Sequence, residues 1–297
     1  MSLFAFMGAI EIGLIYALVA LGVFLSFRVL NFPDLTVDGS FPLGAAVAAT
    51  AIVSGVNPFL ATLIAILAGA AAGLVTAFLN LRFQILHLLA SILTMIALFS
   101  INLRIMGRPN VPLIGEPSVI SPFTVLELRP VYLKPLILAV LIALIAWLLA
   151  RFLSSHYGLA LRATGVNPKN ARAQGVATAG ATYTGMALSN GLVGLAGALF
   201  AQTNGVADVT IGTGTIVVGL AAVIVGETLV PGRGVVIAVL ACVVGSLLYR
   251  IAVAFALNAD ALGLEASDLN LVTAVLVALA LILPRWRAAR ARLTGRP

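Results

Sequence analysis

Charged residues are scarce in this chain of 297 residues: they make up 9% of the sequence, whereas apolar residues make up 62%. A soluble domain carries about a quarter charged residues, because its surface must face water. The mean hydropathy is +1.16, and the apolar runs approach or exceed the roughly 20 residues that span a bilayer. The sequence therefore predicts an all-α, polytopic transmembrane protein.

Cysteine and histidine are also rare. Cys242 is the only cysteine and lies within an apolar run, so the chain alone cannot form a disulfide. His87 and His156 are far apart in sequence and have no acidic partner at metal-ligand spacing. We expect no metal site. We expect no nucleic-acid interface either, because the basic residues collect in short loops and at the C-terminus rather than in one patch.

Nine apolar runs follow one another without a polar linker, so we predict a single transmembrane domain over residues 1–297. The first run lacks a basic n-region and an obvious cleavage site, which favours a transmembrane helix over a removed signal peptide. The runs cover residues 3–27, 40–54, 58–80, 85–106, 134–152, 180–202, 212–228, 234–257 and 269–284.

The distribution of arginine and lysine predicts the orientation in the membrane. Arginines crowd the tail after residue 284, and the positive-inside rule places such a segment in the cytoplasm. Counting back, the basic loop at residues 154–178 is also cytoplasmic. Nine spans then place the N-terminus outside the cell and the C-terminus inside it.

Two segments interrupt the apolar pattern in the same way, at residues 31–50 and 204–224. At one constant offset, Asp34 aligns with Asp208 and Thr36 with Thr210. The predicted topology gives the two segments opposite directions, which indicates an inverted repeat of residues 3–106 and 180–284. Interrupted helices at matching positions of inverted halves point to a translocation path.

Polar side chains beside these interruptions have two interpretations. They can cap the broken helices, because a carboxylate satisfies the free N–H groups at a helix start; they can also line a polar path, and neither role excludes the other. Glu11 and Glu227 lie within apolar runs, where an acidic residue needs a partner or water, and for Glu227 we expect an ion pair with Arg233. The candidate path residues are Asp34, Thr36, Asp38, Ser40, Asp208, Thr210 and Thr213.

The cytoplasmic loop contains a well-delimited short helix. Asn167 can cap its start, Pro168 suits its first position, and Gly175 can end it after about two turns. We expect the helix to be exposed, with Ala171 on its open face. The alternative is an ordinary connecting loop.

Three segments, residues 32–47, 161–175 and 189–234, resemble the membrane subunits of bacterial ABC importers of the ribose-type and branched-chain amino-acid permease class. The likeness is closest to the tryptophan/tyrosine-type or uncharacterised permeases. Asp38 stands where the ribose-type motif has Gly, which disfavours a sugar as substrate. In this class the cytoplasmic loop forms a coupling helix that docks on the ATPase. The resemblance thus implies ATPase-coupling roles for Arg162, Gly165, Asn167, Pro168, Ala171, Arg172 and Gly175.

This resemblance implies a permease subunit that moves a small polar solute, such as an amino acid or a related metabolite, across the bacterial inner membrane. The chain has no Gly-x-x-x-x-Gly-Lys-Ser/Thr phosphate loop. We therefore expect no catalytic residues or cofactor in this chain, and ATP with Mg²⁺ on a separate ATPase subunit.

The other implied partners are an extracytoplasmic solute-binding protein, a second permease copy in a homodimer, and membrane lipid. Two alternatives stay open. An ion-coupled secondary transporter also uses inverted repeats, with Glu11 or Glu227 as candidate ion or proton sites. A non-transporting scaffold is the second, although the interrupted segments argue against it.

Overall fold

The computed structural model describes residues 3–126, 130–232 and 234–257, together with residues 274, 275 and 278. Long apolar stretches fold as helices, because in a membrane the backbone must satisfy its own hydrogen bonds. The helices are α1 (Leu3–Val23, continued by a π-helical turn at Phe24–Val29), α2 (Val37–Val53), α3 (Pro58–Phe83), α4 (His87–Met106), α5 (Pro130–Ser154), α6 (His156–Val166), α7 (Pro168–Ala173), α8 (Thr178–Asn204), α9 (Thr215–Leu229) and α10 (Val235–Leu257).

Outside the α-helices there is little regular structure in the described part of the chain. Two short strands, β1 (Asn110–Pro112) and β2 (Val206–Asp208), pair antiparallel, with Asn110 opposite Asp208. A 3₁₀ helix spans Ser121–Leu126. The strands join the loop after α4 to the loop after α8, on one side of the helix bundle.

The described helices confirm the all-α polytopic architecture. Six of them are long and apolar enough to cross a membrane, whereas α2 and α9 are shorter, with 17 and 15 residues. The first eight predicted apolar runs therefore form helices, two of which are too short for the usual span. Only three positions of the ninth run, residues 269–284, are among the described residues. Arg233 and the arginine-rich tail also lie outside the described residues.

Helices α1 and α8 form the centre of the bundle. Most of the α8 side chains from Ser189 to Leu199 are buried, and small residues let its neighbours approach closely. At Gly73 in α3, a β-carbon would overlap the carbonyl oxygen of Met186 in α8. Close backbone contact of this kind replaces the bulky side-chain packing of a soluble core.

The packing of the two central helices follows a common pattern. Helix α8 packs against α2 and α3, and helix α1 packs against α9 and α10. Each central helix thus contacts the short helix and the next long helix of the other half of the chain. The outer faces of α3 and α4 carry exposed apolar side chains, including Leu67 and Leu93, as a lipid-facing or subunit-facing surface requires.

Candidate functional site

The two short helices begin side by side inside the bundle. Asp38, in the first turn of α2, accepts hydrogen bonds from the backbone amides of Gly214 (3.2 Å) and Ile216 (2.7 Å) at the start of α9. The first amides of a helix have no intrahelical acceptor, and a negative charge there also interacts favourably with the helix dipole. Asp38 therefore caps α9 from the other half of the chain.

From this common start, α2 and α9 run to opposite sides of the bundle. Near the end of α2, the hydroxyl of Thr50 donates to the carbonyl of Ile105, at the end of α4 and next to β1. Near the end of α9, Glu227 forms an ion pair with Arg28, in the π-helical turn that ends the first span. The opposite directions agree with the orientation that the sequence predicts for the two interrupted segments.

The turns that precede α2 and α9 have the same local geometry. The amide of Thr36 donates to Asp34 Oδ1 (2.9 Å), and the amide of Thr210 donates to Asp208 Oδ1 (2.7 Å). In both turns an aspartate accepts from the amide two residues later, which is an Asx turn. Asp34 and Asp208, which align when the two interrupted segments are superposed in sequence, thus have the same hydrogen-bonding role.

The first turn is part of a fully buried polar network. Asp34 Oδ2 accepts from the amide nitrogen of Asn190 in α8 (2.7 Å), and the Ser40 hydroxyl donates to Asn190 Oδ1 (2.7 Å). The hydroxyls of Thr36 and Thr76 lie 2.7 Å apart. Buried polar groups need hydrogen-bond partners, and here neighbouring polar side chains satisfy one another. The network fixes the first interruption against α3 and α8.

The second turn lies at the surface, on the side of the strands. The hydroxyl of Thr210 also donates to Asp208 Oδ1 (2.6 Å), and Asp208 ends β2 opposite Asn110. The amide of Val209 donates to the carbonyl of Pro109 (3.0 Å). The two matching turns therefore differ in burial: the first lies inside the protein, and the second lies at its edge.

A groove of about 400 Å³ opens beside Asp38, between α2, α4 and the turn before α9. Of the seven path candidates from the sequence, Asp38 and Thr213 line this groove. Asp34, Thr36 and Ser40 have no exposed surface, and Asp208 and Thr210 lie at the edge. The residues that line the groove include Asp38, Met95, Phe99, Ser100, Asn102 and Thr213.

Asn102 is a buried polar residue of the groove that the sequence did not indicate as a candidate. It lies in α4 and is fully buried, and its amide nitrogen donates to the carbonyl of Gly39 (3.2 Å). A polar amide within an otherwise apolar run is costly in a membrane. The position of Asn102 in such a run was therefore the sequence feature that could have indicated a functional residue.

The short helix of the basic loop has the predicted ends. Asn167 Oδ1 accepts from the amides of Lys169 and Asn170 (both 3.1 Å), and Pro168 is the first helical residue. The helix ends at Ala173, and Gly175 follows with φ of 86°. These caps confirm the helix, α7, and the residues predicted to begin and end it.

The expected orientation of Ala171 is wrong. Ala171 is only 5% exposed, whereas Ala173, two residues later, is exposed. Helix α7 packs against α6 and α8, and Ala171 lies at the groove between α6 and α7 with little of its surface exposed. A helix of six residues is too short for its sequence to indicate which face is buried.

Other residues of the loop connect α7 to the bundle. A β-carbon at Gly165, in α6, would overlap the carbonyl oxygen of Val29, so α6 lies directly on the end of the first span. Arg172 donates to the hydroxyl of Thr178 at the start of α8 (3.1 Å). These contacts tie the loop to both central helices.

Arg162 and Val166 line an open groove of about 420 Å³ between α6 and α7. Within the described part of the chain, the buried Nε of Arg162 has no hydrogen-bond partner. Val166 is 87% exposed. The groove thus combines an unsatisfied cationic donor with an exposed apolar side chain.

Both acidic residues inside the apolar runs have basic neighbours. Glu227 pairs with Arg28. The expected partner, Arg233, lies outside the described residues. Glu11 lies 3.9 Å from the ammonium group of Lys134, which also donates to the carbonyl of Thr203 at the end of α8. Among the residues described, no three His, Cys, Asp or Glu side chains are placed to hold a metal ion.

The chain matches, over residues 6–285, the family described as "Branched-chain amino acid transport system / permease component". The chain belongs to this permease family. It is a permease subunit of an ABC importer and a multi-pass membrane protein, and it is not an enzyme, as the resemblance implied.

Two relatives cover nearly the whole chain. The "Tyrosine transport system permease protein" of Clostridioides difficile (strain R20291) is 38% identical over 265 residues, which is 89% of this chain and 86% of that protein. The "Uncharacterized protein RP368" of Rickettsia prowazekii (strain Madrid E) is 35% identical over 277 residues, 92% of this chain and 95% of the other. The predicted closeness to a tyrosine-type permease is confirmed.

A solved structure has a similar fold. The structure of "PsaBC from Streptococcus pneumoniae in complex with Fab" contains a chain that aligns with a TM-score of 0.51 and 14% sequence identity. The alignment covers 93% of this chain and 89% of that chain. At this identity the likeness concerns the fold alone.

Proposed function

We propose that this permease moves an amino acid into the cytoplasm across the bacterial inner membrane, in a complex with an ABC ATPase and an extracytoplasmic solute-binding protein. The observation that carries the choice of solute is the 38% identity to a tyrosine transport system permease over 89% of the chain. Tyrosine is therefore the first solute to test. The N-terminus is outside the cell, and the C-terminus is in the cytoplasm.

The permease works as a homodimer, and its single domain, residues 1–297, consists of two inverted repeats. The matching Asx turns at Asp34 and Asp208 support the repeat, as do the opposite directions of α2 and α9. The hydrogen bond between Asp38 and Ile216 connects the repeats at the point where both short helices begin. A shift of α9 would therefore reach α2 through a direct contact.

Helix α7 and the neighbouring groove form the docking site for the ATPase. The guanidinium group of Arg162, which lines the groove, and the exposed Val166 provide a charged donor and an apolar contact for that partner. Asn167, Pro168 and Gly175 define the ends of the helix. Gly165, Ala171 and Arg172 attach the docking loop to the rest of the permease.

A chain of contacts leads from the docking loop to the groove beside Asp38. Gly165 lies on Val29, whose neighbour Arg28 pairs with Glu227 at the end of α9. Asp38 holds the start of the same helix. Closure of the ATPase subunits around ATP and Mg²⁺ would thus move α6, then the end of the first span, and then α9.

Inhibition of uptake tests this function. Cells that contain the permease, its ATPase and its binding protein should accumulate labelled tyrosine, and vanadate should stop the accumulation in membrane vesicles supplied with ATP. A protonophore should leave vesicle uptake unchanged while ATP is maintained. The opposite result, uptake that resists vanadate and fails with the protonophore, would replace the proposal with an ion-coupled secondary transporter.

A further inference from the structure

We propose that the groove beside Asp38 is a solute subsite that binds a primary ammonium group between Asp38 and Asn102 and packs an aromatic or apolar side chain against Met95 and Phe99. The proposal rests on the function proposed above and names the chemical class of its solute. That class is an amine-bearing solute with an aromatic or large apolar side chain, and not a sugar or an acidic solute.

The first observation is an unpaired acceptor. Asn102 is fully buried and lines the groove, and its amide nitrogen is used by the carbonyl of Gly39. Its Oδ1 has no hydrogen-bond partner in the described part of the chain. A buried acceptor is costly to leave unpaired, and more so inside a membrane. The group that pairs with Asn102 Oδ1 must be a hydrogen-bond donor.

The second observation is the negative charge of Asp38. Its carboxylate accepts from the backbone amides of Gly214 and Ile216, and a carboxylate has about four acceptor positions. Neither of the ion pairs found among the described residues involves Asp38. The remaining acceptor positions and the negative charge, which no basic side chain pairs among the described residues, favour a cationic donor. A primary ammonium group, with three N–H donors, satisfies Asp38 and Asn102 together.

The third observation is the composition of the walls. Met95 and Phe99 lie one turn apart on α4 and both line the groove, which suits a flat apolar group, because methionine and aromatic side chains make favourable contacts with rings. A volume of about 400 Å³ falls within the range of small-molecule sites. The hydroxyls of Ser100 and Thr213 supply polar groups at the margin.

The same walls disfavour other solutes. No lysine, arginine or histidine lines the described groove, so an acidic solute would meet Asp38 without a compensating cation. A sugar offers hydroxyl groups but no positive charge, and the apolar side chains on α4 would leave most of those hydroxyls unpaired. The polar pair and the apolar wall together select an amine with an apolar side chain.

Protection of a single cysteine in the groove tests the subsite directly, without the binding protein. The starting protein is the permease–ATPase complex with Cys242→Ala and Ser100→Cys, because Ser100 is exposed in the groove. The measured quantity is the rate at which a maleimide modifies this cysteine. L-tyrosine and tyramine should slow the modification. N-acetyl-L-tyrosine, which lacks the ammonium group, and L-glutamate should not.

Variants on α4 and α2 test whether Asn102 and Asp38 contact the solute. Asn102→Leu and Asp38→Asn should each raise the tyrosine concentration needed for half-protection by about tenfold, since each removes a hydrogen bond to a charged group. Ser91→Ala, a buried position on α4 outside the groove, is the matched control and should leave protection unchanged. Retention of the ATPase on purification shows that a variant is folded.

Three results would overturn the subsite: equal protection by N-acetyl-L-tyrosine, no protection by tyramine, or unchanged protection in Asn102→Leu. Vanadate-sensitive uptake without any protection would leave the permease function intact and refute the subsite alone. Protection combined with vanadate-resistant uptake would support the subsite and refute the ATP-driven function.

Discussion

Asp38 Oδ1 lies 2.7 Å from the backbone nitrogen of Ile216 and accepts its hydrogen bond, which joins the starts of α2 and α9. One carboxylate thus caps a helix of the other half of the chain and also lines the groove. The two roles can be separated by substitution, because capping needs an acceptor atom and the proposed solute contact needs a charge.

The capping role predicts a stability difference at Asp38. Asp38→Ala removes both acceptors for α9 and should lower the free energy of unfolding by about 1–2 kcal/mol, whereas Asp38→Asn keeps one of the two acceptors and should cost less. Thermal unfolding of the purified protein in detergent measures the difference. Equal melting temperatures for the two variants would show that the cap contributes nothing to stability.

The two Asx turns form a natural matched pair. Asp34→Ala leaves Asn190 and the amide of Thr36 without acceptors in a buried network, and should cost about 1–3 kcal/mol for each group left unpaired. Asp208→Ala removes the same turn at the surface, where water replaces the lost acceptor, and should cost less than about 1 kcal/mol. The comparison requires only thermal unfolding and the yield of inserted protein. A larger effect at Asp208 than at Asp34 would contradict the burial argument.

The ion pair between Arg28 and Glu227 joins the end of the first span to the end of α9. Both side chains are partly exposed, so the pair should contribute only about 0.2–1 kcal/mol to stability. We expect Arg28→Glu and Glu227→Arg each to reduce uptake with little loss of protein, because each places like charges together. The double exchange should recover uptake, and its failure to do so would show that the pair is not part of the transmission path.

The docking face of α7 is tested at Ala173, because a large residue at the buried Ala171 would also disturb the packing of the loop. Ala173→Arg should leave insertion normal, reduce retention of the ATPase on purification, and abolish uptake. Ala177→Arg, exposed and beyond the end of α7, is the control with the same change. Normal ATPase retention by Ala173→Arg would place the docking surface elsewhere.

Local signals in the sequence were sufficient for the apolar helices and for the ends of α7, but α6 (His156–Val166) was not predicted. Long apolar runs predicted eight described helices, and Asn167 with Pro168 predicted the start of α7, because caps depend on residues within one turn. Asp34 and Asp208, which align at the constant offset, both form Asx turns, and an Asx turn also depends on nearby residues alone.

Long-range contacts were beyond such signals. The partner of Glu227 is Arg28, at the other end of the chain, and no local pattern links the two residues. Asn102 joins the site because α4 packs against α2, which brings its amide to Gly39. The burial of Ala171 follows from the packing of α7 on α6 and α8, and six residues carry too little periodicity to reveal it.

The most direct test of the central claim is uptake into proteoliposomes that contain the permease and its ATPase, with MgATP enclosed and the binding protein outside. With no ion gradient across the membrane, labelled tyrosine should accumulate only when ATP is enclosed, and Ala173→Arg should abolish that accumulation. Accumulation that proceeds without ATP and follows an imposed proton or sodium gradient would contradict the assignment of this chain as a permease driven by an ABC ATPase.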